Sequence, residues 1–237
     1  TGKSPRLSAH LAEPYVEIHP QDAHTYNISE NQIVEVSSPL GRVLGRADIT
    51  DRAQIGAVFV PIHWTDQFSS LARIGSLIPP VLDPTSGQPA FKRSSVKIAP
   101  FQAGFYGLAV SRYKPEIPEC AYWALSKCEA GWRLEFAGCE KEIDIASFIR
   151  VVFPEMKGDQ HLDYKDDVKG DYRLAVFDEQ RLDTVVYISS LPVGMSRSFA
   201  VEALVEDYSE PSSRQFVLAG RYATGRIDKG DIICSCF

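Results

Sequence analysis

The last residues of the sequence include two side chains with metal-binding chemistry, Cys234 and Cys236. Two thiolates separated by one residue suit an iron–sulfur cluster or a soft metal better than they suit a disulfide with each other. They do not complete a four-ligand site, so we expect further ligands from residues beyond Phe237. The alternative interpretation is a C-terminal tail with two ordinary thiols.

The first residues resemble part of a phosphate-binding loop, because Gly2, Lys3 and Ser4 follow one another. A complete loop of that kind needs an earlier glycine and a preceding strand. Pro5 and Pro14 also interrupt the helix whose N-terminal amides would bind the anion. We therefore predict an extended basic loop here rather than an ATP site.

A histidine and a tryptophan, His63 and Trp64, directly follow an apolar run at residues 57–62. The run has the length of a strand, which predicts a strand buried on both faces. At the end of such a strand, an imidazole and an indole can stack on a ring system or hydrogen-bond to it. Residues 63–93 are rich in polar groups, and a long loop inside a compact domain is typically functional. The alternative is that His63 is a structural histidine.

The first hundred residues are predicted to form a compact, mainly β barrel that positions this loop. Two small helices are expected among the strands. Alternating or continuous apolar residues predict strands at 15–18, 32–37, 42–49, 57–62 and 94–98. The turn residues 39–41 join two of these strands in a hairpin, and residues 20–26 are predicted to form a short helix.

The second half of the sequence is predicted to form an α+β domain. Turn-forming residues around 100–107 and 111–118 indicate a domain boundary. Strands are expected at 132–136, 170–177 and 181–189, and helices at 143–153, 198–206 and 212–218.

Composition and charge limit the partners and the location that we expect for this protein. The 237 residues are 44% hydrophobic, with 25 basic against 31 acidic side chains and a formal net charge of −6. This balance gives no reason to expect nucleic acid or an anionic membrane as a partner. No apolar run is long enough to span a membrane, and no export signal opens the sequence. We therefore expect a cytoplasmic protein, in which Cys120, Cys128 and Cys139 are ordinary thiols.

Several motifs occur in order along the first hundred residues. They are Thr1-Gly-Lys3, Glu13-Pro-Tyr-Val-Glu-Ile-His-Pro20, Ile33-Val-Glu-Val-Ser-Ser-Pro-Leu-Gly41, Gly56-Ala-Val-Phe-Val-Pro-Ile-His-Trp64 and Asp83-Pro-Thr-Ser-Gly-Gln-Pro89, with Lys92 beyond. The series resembles the C-terminal dinucleotide-binding domain of the molybdopterin oxidoreductases, and most of all the bacterial assimilatory nitrate reductases. Residues 160–237, with Tyr172-Arg173, Leu218-Ala-Gly-Arg221 and Cys234-Ser-Cys236-Phe237, resemble more weakly the extension that precedes a [2Fe–2S] module in such enzymes.

The resemblance implies a fold and a division into domains. Residues 1–106 would form a double-psi β-barrel that closes over a bis-molybdopterin guanine dinucleotide. Residues 107–237 would form a smaller α+β domain that ends at the start of the [2Fe–2S] motif.

The resemblance also implies a set of cofactor-binding residues and no catalytic residue. Lys3 and Lys92 would neutralise phosphate or pterin groups, and Ser69 and Ser70 would offer hydroxyls, although relatives carry an Asn-Leu-Leu-Thr-like segment there. Asp83 either accepts from ring N–H groups or bonds its own turn. Lys92 has the alternative role of protecting a strand edge. The predicted set is Gly2, Lys3, Ser4, His63, Trp64, Ser69, Ser70, Asp83, Gln88 and Lys92, with Cys234 and Cys236 as metal ligands.

The implied activity belongs to a larger enzyme, the two-electron reduction of nitrate to nitrite at molybdenum. Upstream domains of the same polypeptide would carry the metal, and an electron-donor protein or domain would supply the electrons, so the chain alone is expected to be inactive. Two alternatives remain open. One is a non-catalytic electron-transfer docking module, and the other is the same domain in another molybdenum or tungsten enzyme such as formate dehydrogenase.

Overall fold

The computed structural model describes residues 2–9, 11–89, 92–141 and 143–222. These residues fall into two compact units. One, the five-stranded unit, is Glu13–Gln102. The other, the six-stranded unit, combines the described residues of Thr1–Ala12 and Ala103–Phe237. The chain therefore passes from one unit to the other twice, after Ala12 and after Gln102. The second of these points lies four residues before the predicted boundary at 106.

The N-terminal residues belong to the six-stranded unit because they bond to one of its strands. The Lys127 amide donates to the carbonyl of Gly2 over 2.8 Å. Helix α1 (Pro5–Ser8) then packs on strand β7 (Tyr122–Cys128). The predicted extended loop was wrong here, since proline is tolerated at the first helical position, which Pro5 occupies.

The five-stranded unit is built on a mixed sheet with the order β4-β1-β3-β2-β5. Its strands are β1 (Tyr15–Ile18), β2 (Ile33–Ser38), β3 (Gly41–Ile49), β4 (Val58–Phe59) and β5 (Lys97–Pro100). Strands β2 and β3 form the predicted hairpin, whereas β1 pairs with β3 in parallel. Helix α2 (Pro20–Thr25) lies in the connection and begins at His19, whose Nδ1 accepts from the Gln21 amide.

The core of this unit contains aliphatic side chains from the first three strands and α2. The predicted strand at 57–62 is only two residues long, and it is not buried on both faces. Phe59 is 52% exposed and Ile62 61% exposed. The physical reason is that β4 is an edge strand paired only with β1, and Pro61 offers no amide to extend the ladder.

The six-stranded unit contains an antiparallel sheet with the order β7-β8-β6-β11-β10-β9. Besides β7, its strands are β6 (Phe105–Ser111), β8 (Gly131–Gly138), β9 (Gln160–Asp166), β10 (Asp171–Asp178) and β11 (Arg181–Ser189). The helices that follow α2 in the chain are α3 (Ile145–Val152), α4 (Arg197–Glu202) and α5 (Pro211–Ala219). The described part of the chain is thus mainly β, with few and short helices. The α+β part, predicted to be the smaller domain, is the larger of the two units, and it also includes N-terminal residues.

Three strands of the six-stranded unit, β6, β7 and β9, were not predicted from the sequence. The glycines and prolines around β6 and β7 have the composition of turns, yet every residue of β6 is buried. Gly107 lies in this strand because the Phe136 ring covers it, and a Cβ there would lie 2.1 Å from Phe136 Cζ. Strand β9 is exposed along nearly its whole length, so it has no apolar alternation to detect.

One hydrophobic core cluster of the six-stranded unit combines side chains of the sheet and of α3. Asp144 caps this helix by accepting from the Ser147 amide over 3.1 Å. Ile149 and Val152 are the buried residues of α3. The described cysteines, Cys120, Cys128 and Cys139, are free thiols. Burial raises the pKa of Cys120 to about 12, which keeps this thiol protonated at neutral pH.

Among the described residues, no helix has both the length and the apolar character needed to cross a membrane.

Candidate functional site

A cavity of about 500 Å³ in the five-stranded unit has both His63 and Lys92 in its lining. These residues are 29 positions apart in the sequence. His63 follows the short strand β4, and Lys92 precedes β5. The lining of the cavity therefore includes the segment that leaves edge strand β4 and the segment that enters edge strand β5. It brings together two of the predicted site residues.

The walls of the cavity are mainly aliphatic and aromatic. The residues that supply them are Val36, Val58, Phe59, Val60, Pro61, Ile62, Ile74, Leu77, Ile78 and Val96. Ile74 and Leu77 belong to a 3-10 helix, Ile74–Leu77. A pocket of this volume with apolar walls and a few polar groups is typical of sites that hold small organic molecules or cofactors.

Two further polar side chains in the lining were missed by sequence reasoning, Tyr15 and Ser94. The Oγ of Ser94 is buried and has no hydrogen-bond partner among the described residues. Burial, followed by the nearby charges of Glu17 and Asp48, raises the pKa of Tyr15, so its phenol stays a neutral donor. Tyr15 could have been found from the alternation of β1, in which Val16 and Ile18 are buried and Tyr15 faces the other way.

His63 and Trp64, predicted as a pair, have opposite environments. His63 is exposed, whereas Trp64 is 1% exposed. Trp64 therefore does not present a ring face to solvent for stacking. Its Nε1–H has no hydrogen-bond partner among the described residues, which leaves one buried donor unsatisfied.

The predicted serines are also placed differently from each other. Ser69 is fully buried and its Oγ donates to the carbonyl of Ser70 over 3.3 Å. Ser70 is partly buried. Neither serine is part of the cavity lining described above.

The Asp83 side chain accepts hydrogen bonds from residues of its own turn, which was the second of the two interpretations of this residue. Its Oδ1 accepts from the Thr85 amide at 3.1 Å, the Ser86 amide at 2.7 Å and the Ser86 hydroxyl at 2.9 Å. The carbonyl of Gln88 accepts from the Asp83 amide and closes the loop. The side chains of Asp83 and Gln88 are exposed on this turn.

This turn is expected to lose order in acid. Bonds from the Ser86 amide and hydroxyl, and then from the Thr85 amide, hold the pKa of Asp83 below its ordinary value of 3.8. Because the folded pKa is depressed, the carboxylate supports the turn fully above the ordinary value, and that support is lost as pH falls through the folded value. NMR titration should give an Asp83 midpoint below 3.8.

The control for this titration is Asp83→Asn, in which the Ser86 amide shift should no longer follow that midpoint. A midpoint for Asp83 at or above 3.8 would contradict the arrangement of the turn.

The remaining predicted residues lie elsewhere. Gly2, Lys3 and Ser4 belong to the six-stranded unit. Gly2 is buried with a φ of 73°, a conformation that favours glycine, and Lys3 is exposed. Cys234 and Cys236 lie outside the described residues. Within the described residues, no group of three or more histidine, cysteine or acidic side chains is arranged to hold a metal ion.

Comparison with known proteins gives one family model and several relatives that match part of this chain. Residues 1–95 match a family model described as "Molydopterin dinucleotide binding domain". A nitrate reductase of Klebsiella oxytoca is 35% identical over 144 residues, which are 61% of this chain and 17% of that protein. The assimilatory nitrate reductase catalytic subunit of Bacillus subtilis (strain 168) is 40% identical over 100 residues, 42% of this chain and 14% of that protein.

A formate dehydrogenase is similar to the chain as well. The F420-dependent formate dehydrogenase 1 subunit alpha of Methanococcus maripaludis is 35% identical over 102 residues, 41% of this chain and 14% of that protein. The chain thus spans less than a fifth of the length of these relatives. The matches confirm the resemblance predicted from the motifs: residues 1–95 are similar to the molydopterin dinucleotide binding domain, and the chain is similar to nitrate reductases.

Proposed function

We propose that the cavity of the five-stranded unit binds one nucleotide end of a molybdopterin guanine dinucleotide. The observation that carries the proposal is the lining itself, in which the cation Lys92, the imidazole of His63 and the unpartnered Ser94 hydroxyl meet an apolar wall. A volume of about 500 Å³ suits one ring-bearing end of such a cofactor rather than the whole of it.

Each polar group has a separate task in this proposal. Lys92 places a positive charge next to a phosphate, and His63 and the Tyr15 phenol hydrogen-bond to the edges of a ring or sugar. Ser94 gains the partner that its buried Oγ lacks. The apolar wall holds the ring and excludes water. When bound, the cofactor supplies the metal centre at which electrons are exchanged, and these residues fix its position.

We propose that the larger enzyme reduces nitrate to nitrite by two electrons, as part of nitrate assimilation. The match to the Klebsiella oxytoca nitrate reductase runs over 144 residues, well past the 95 residues of the domain. The formate dehydrogenase match covers 102 residues, close to the length of the domain alone. The longer match to this one nitrate reductase supports nitrate as the substrate, because a shared domain by itself is common to both kinds of enzyme.

The proposal includes the architecture and the partners of the chain. The five-stranded unit would be part of a double-psi β-barrel, and upstream domains of the same polypeptide would cover its exposed apolar side chains. Ile55, Phe59, Ile62, Val81 and Leu82 are all more than half exposed, and such surfaces mark interaction sites. The proposal also includes an electron-donor protein or domain as a partner. It places a [2Fe–2S] cluster on Cys234 and Cys236, and it locates the protein in the cytoplasm.

GDP is the probe for the nucleotide site, followed by NMR on the complete chain. The signals of His63, Ser94 and Lys92 should shift together and saturate. Lys92→Gln should weaken GDP binding about fivefold to tenfold, because one charge-assisted bond to phosphate contributes roughly 1 to 1.5 kcal/mol. Lys97→Gln is the matched control, since Lys97 is also exposed and close in sequence but does not line the cavity.

The position of the site is contradicted if millimolar GDP leaves these three signals unchanged, or if both lysine variants weaken binding equally. The substrate is tested on a longer protein that contains this chain. With an artificial electron donor or acceptor, that protein should reduce nitrate and not oxidise formate, while the chain alone should do neither.

A further inference from the structure

A second cavity lies wholly within the six-stranded unit and plays no part in the proposed nucleotide site. Its volume is about 450 Å³, and it is lined by residues of the N-terminal segment, of β7 and β8, and of α4. The contributing positions of α4 are Arg197, Ser198, Val201 and Glu202. This spacing places them on one face of the helix.

The lining of this cavity includes several cationic side chains. Arg133 and Arg197 line it, and both donate to the single carboxylate of Glu135, over 2.6 Å and 3.1 Å at the closest. These two guanidinium groups therefore share the Glu135 carboxylate. Arg6 and Lys127 add two more cations to the lining.

Two acidic side chains also belong to the lining, Glu129 and Glu202. Glu202 accepts from the Tyr222 hydroxyl over 2.8 Å. The four cationic side chains outnumber these two carboxylates and that of Glu135 by one, so the cavity favours an anion.

The cavity contains a buried polar group without a partner. Ser8 is 6% exposed, and its Oγ has no hydrogen-bond partner among the described residues. A buried hydroxyl without a partner lowers stability, and a ligand that accepts a hydrogen bond would remove that cost. The other walls are apolar and include Pro5, Ala9, Ala12 and Val201.

We propose that this cavity binds a small organic anion, with its carboxylate or phosphate head near the arginines and Ser8. Its hydrocarbon or ring body would lie on the wall formed by Ala9, Ala12 and Val201. Guanidinium groups recognise carboxylate and phosphate by the same geometry, so the head group is a matter for experiment. This binding is independent of the nucleotide site in the five-stranded unit.

Calorimetric titration of the complete chain tests the proposal with four probes, benzoate, phenyl phosphate, inorganic phosphate and the neutral benzamide. At least one of the two ring-bearing anions should bind, at least tenfold more tightly than benzamide and than inorganic phosphate. Whichever of benzoate and phenyl phosphate binds more tightly identifies the head group.

Two variants connect the binding to this cavity. Ser8→Ala should weaken binding of the tighter probe about fivefold while leaving the fold intact, because the Ser8 hydroxyl has no bond to lose. Lys127→Gln should weaken it about threefold through the lost charge. Lys165→Gln is the control, since Lys165 lies on β9 at the opposite edge of the sheet from β7. The proposal is overturned if neither ring-bearing anion binds at millimolar concentration, if benzamide binds equally well, or if binding is unchanged in both Ser8→Ala and Lys127→Gln.

Discussion

Glu135→Gln is expected to destabilise the six-stranded unit by about 3–5 kcal/mol, because it removes a carboxylate that two largely buried arginines share. The Glu135 side chain is 1% exposed, and those of Arg133 and Arg197 are 14% and 13% exposed. The glutamine keeps the size of the side chain and removes its charge. Both guanidinium groups would then contact a neutral amide in place of a carboxylate, in a poorly solvated environment.

Urea unfolding, with amide hydrogen exchange measured on β6 and β8, reports on this unit specifically. Glu155→Gln is the matched control, since Glu155 is exposed, and its effect should stay within about 0.5 kcal/mol. A loss of less than about 1 kcal/mol in Glu135→Gln would mean that the ion pairs contribute little to the stability of this unit.

Gly131→Ala is expected to cost about 3 kcal/mol or more, because the new methyl group would overlap main-chain atoms. A Cβ at this position would lie 2.1 Å from the carbonyl oxygen of Ser111 and 2.9 Å from its carbonyl carbon. Gly131 begins β8, which pairs with both β6 and β7. The clash is with a neighbouring backbone rather than a mobile side chain, so the ladder between β6 and β8 has to open to relieve it.

The comparison for this prediction is Gly194→Ala, because a Cβ on Gly194 meets no atom within 4 Å. That variant should be neutral or more stable by up to about 1 kcal/mol, since alanine restricts the unfolded chain. The unfolding midpoints of the two variants should therefore differ widely. Equal midpoints would contradict the close approach of β6 and β8.

The elements that could be predicted from the sequence depend on local signals. The hairpin of β2 and β3 has strand-forming apolar residues on both sides of a Pro-Leu-Gly turn. The hairpin of β10 and β11 likewise has strand-forming apolar residues on both sides of a short polar turn. Helix α3 has an aspartate cap followed by apolar residues at helical spacing. In each case the residues that determine the structure are within about twenty positions of one another.

The elements that could not be predicted depend on distant partners. Strand β6 contains Gly107, which has the composition of a turn, and only the covering ring of Phe136 explains its place in a strand. The parallel pairing of β1 with β3 joins residues about thirty positions apart. The N-terminal segment gave no signal that it would pack on β7, because that contact bridges more than a hundred residues.

The candidate site shows the same division. The sequence by itself determined that the first hundred residues carry motifs resembling a dinucleotide-binding domain, and that the residues from Asp83 onward have the composition of a turn, since ordered motifs and turn chemistry are local properties. Only the tertiary structure decided that His63 and Lys92 line one cavity with Tyr15 and Ser94, and that Trp64 is buried beside the exposed His63. The physical reason is that a cavity is formed by side chains from separate strands, and burial depends on what packs against a residue rather than on its neighbours in the chain.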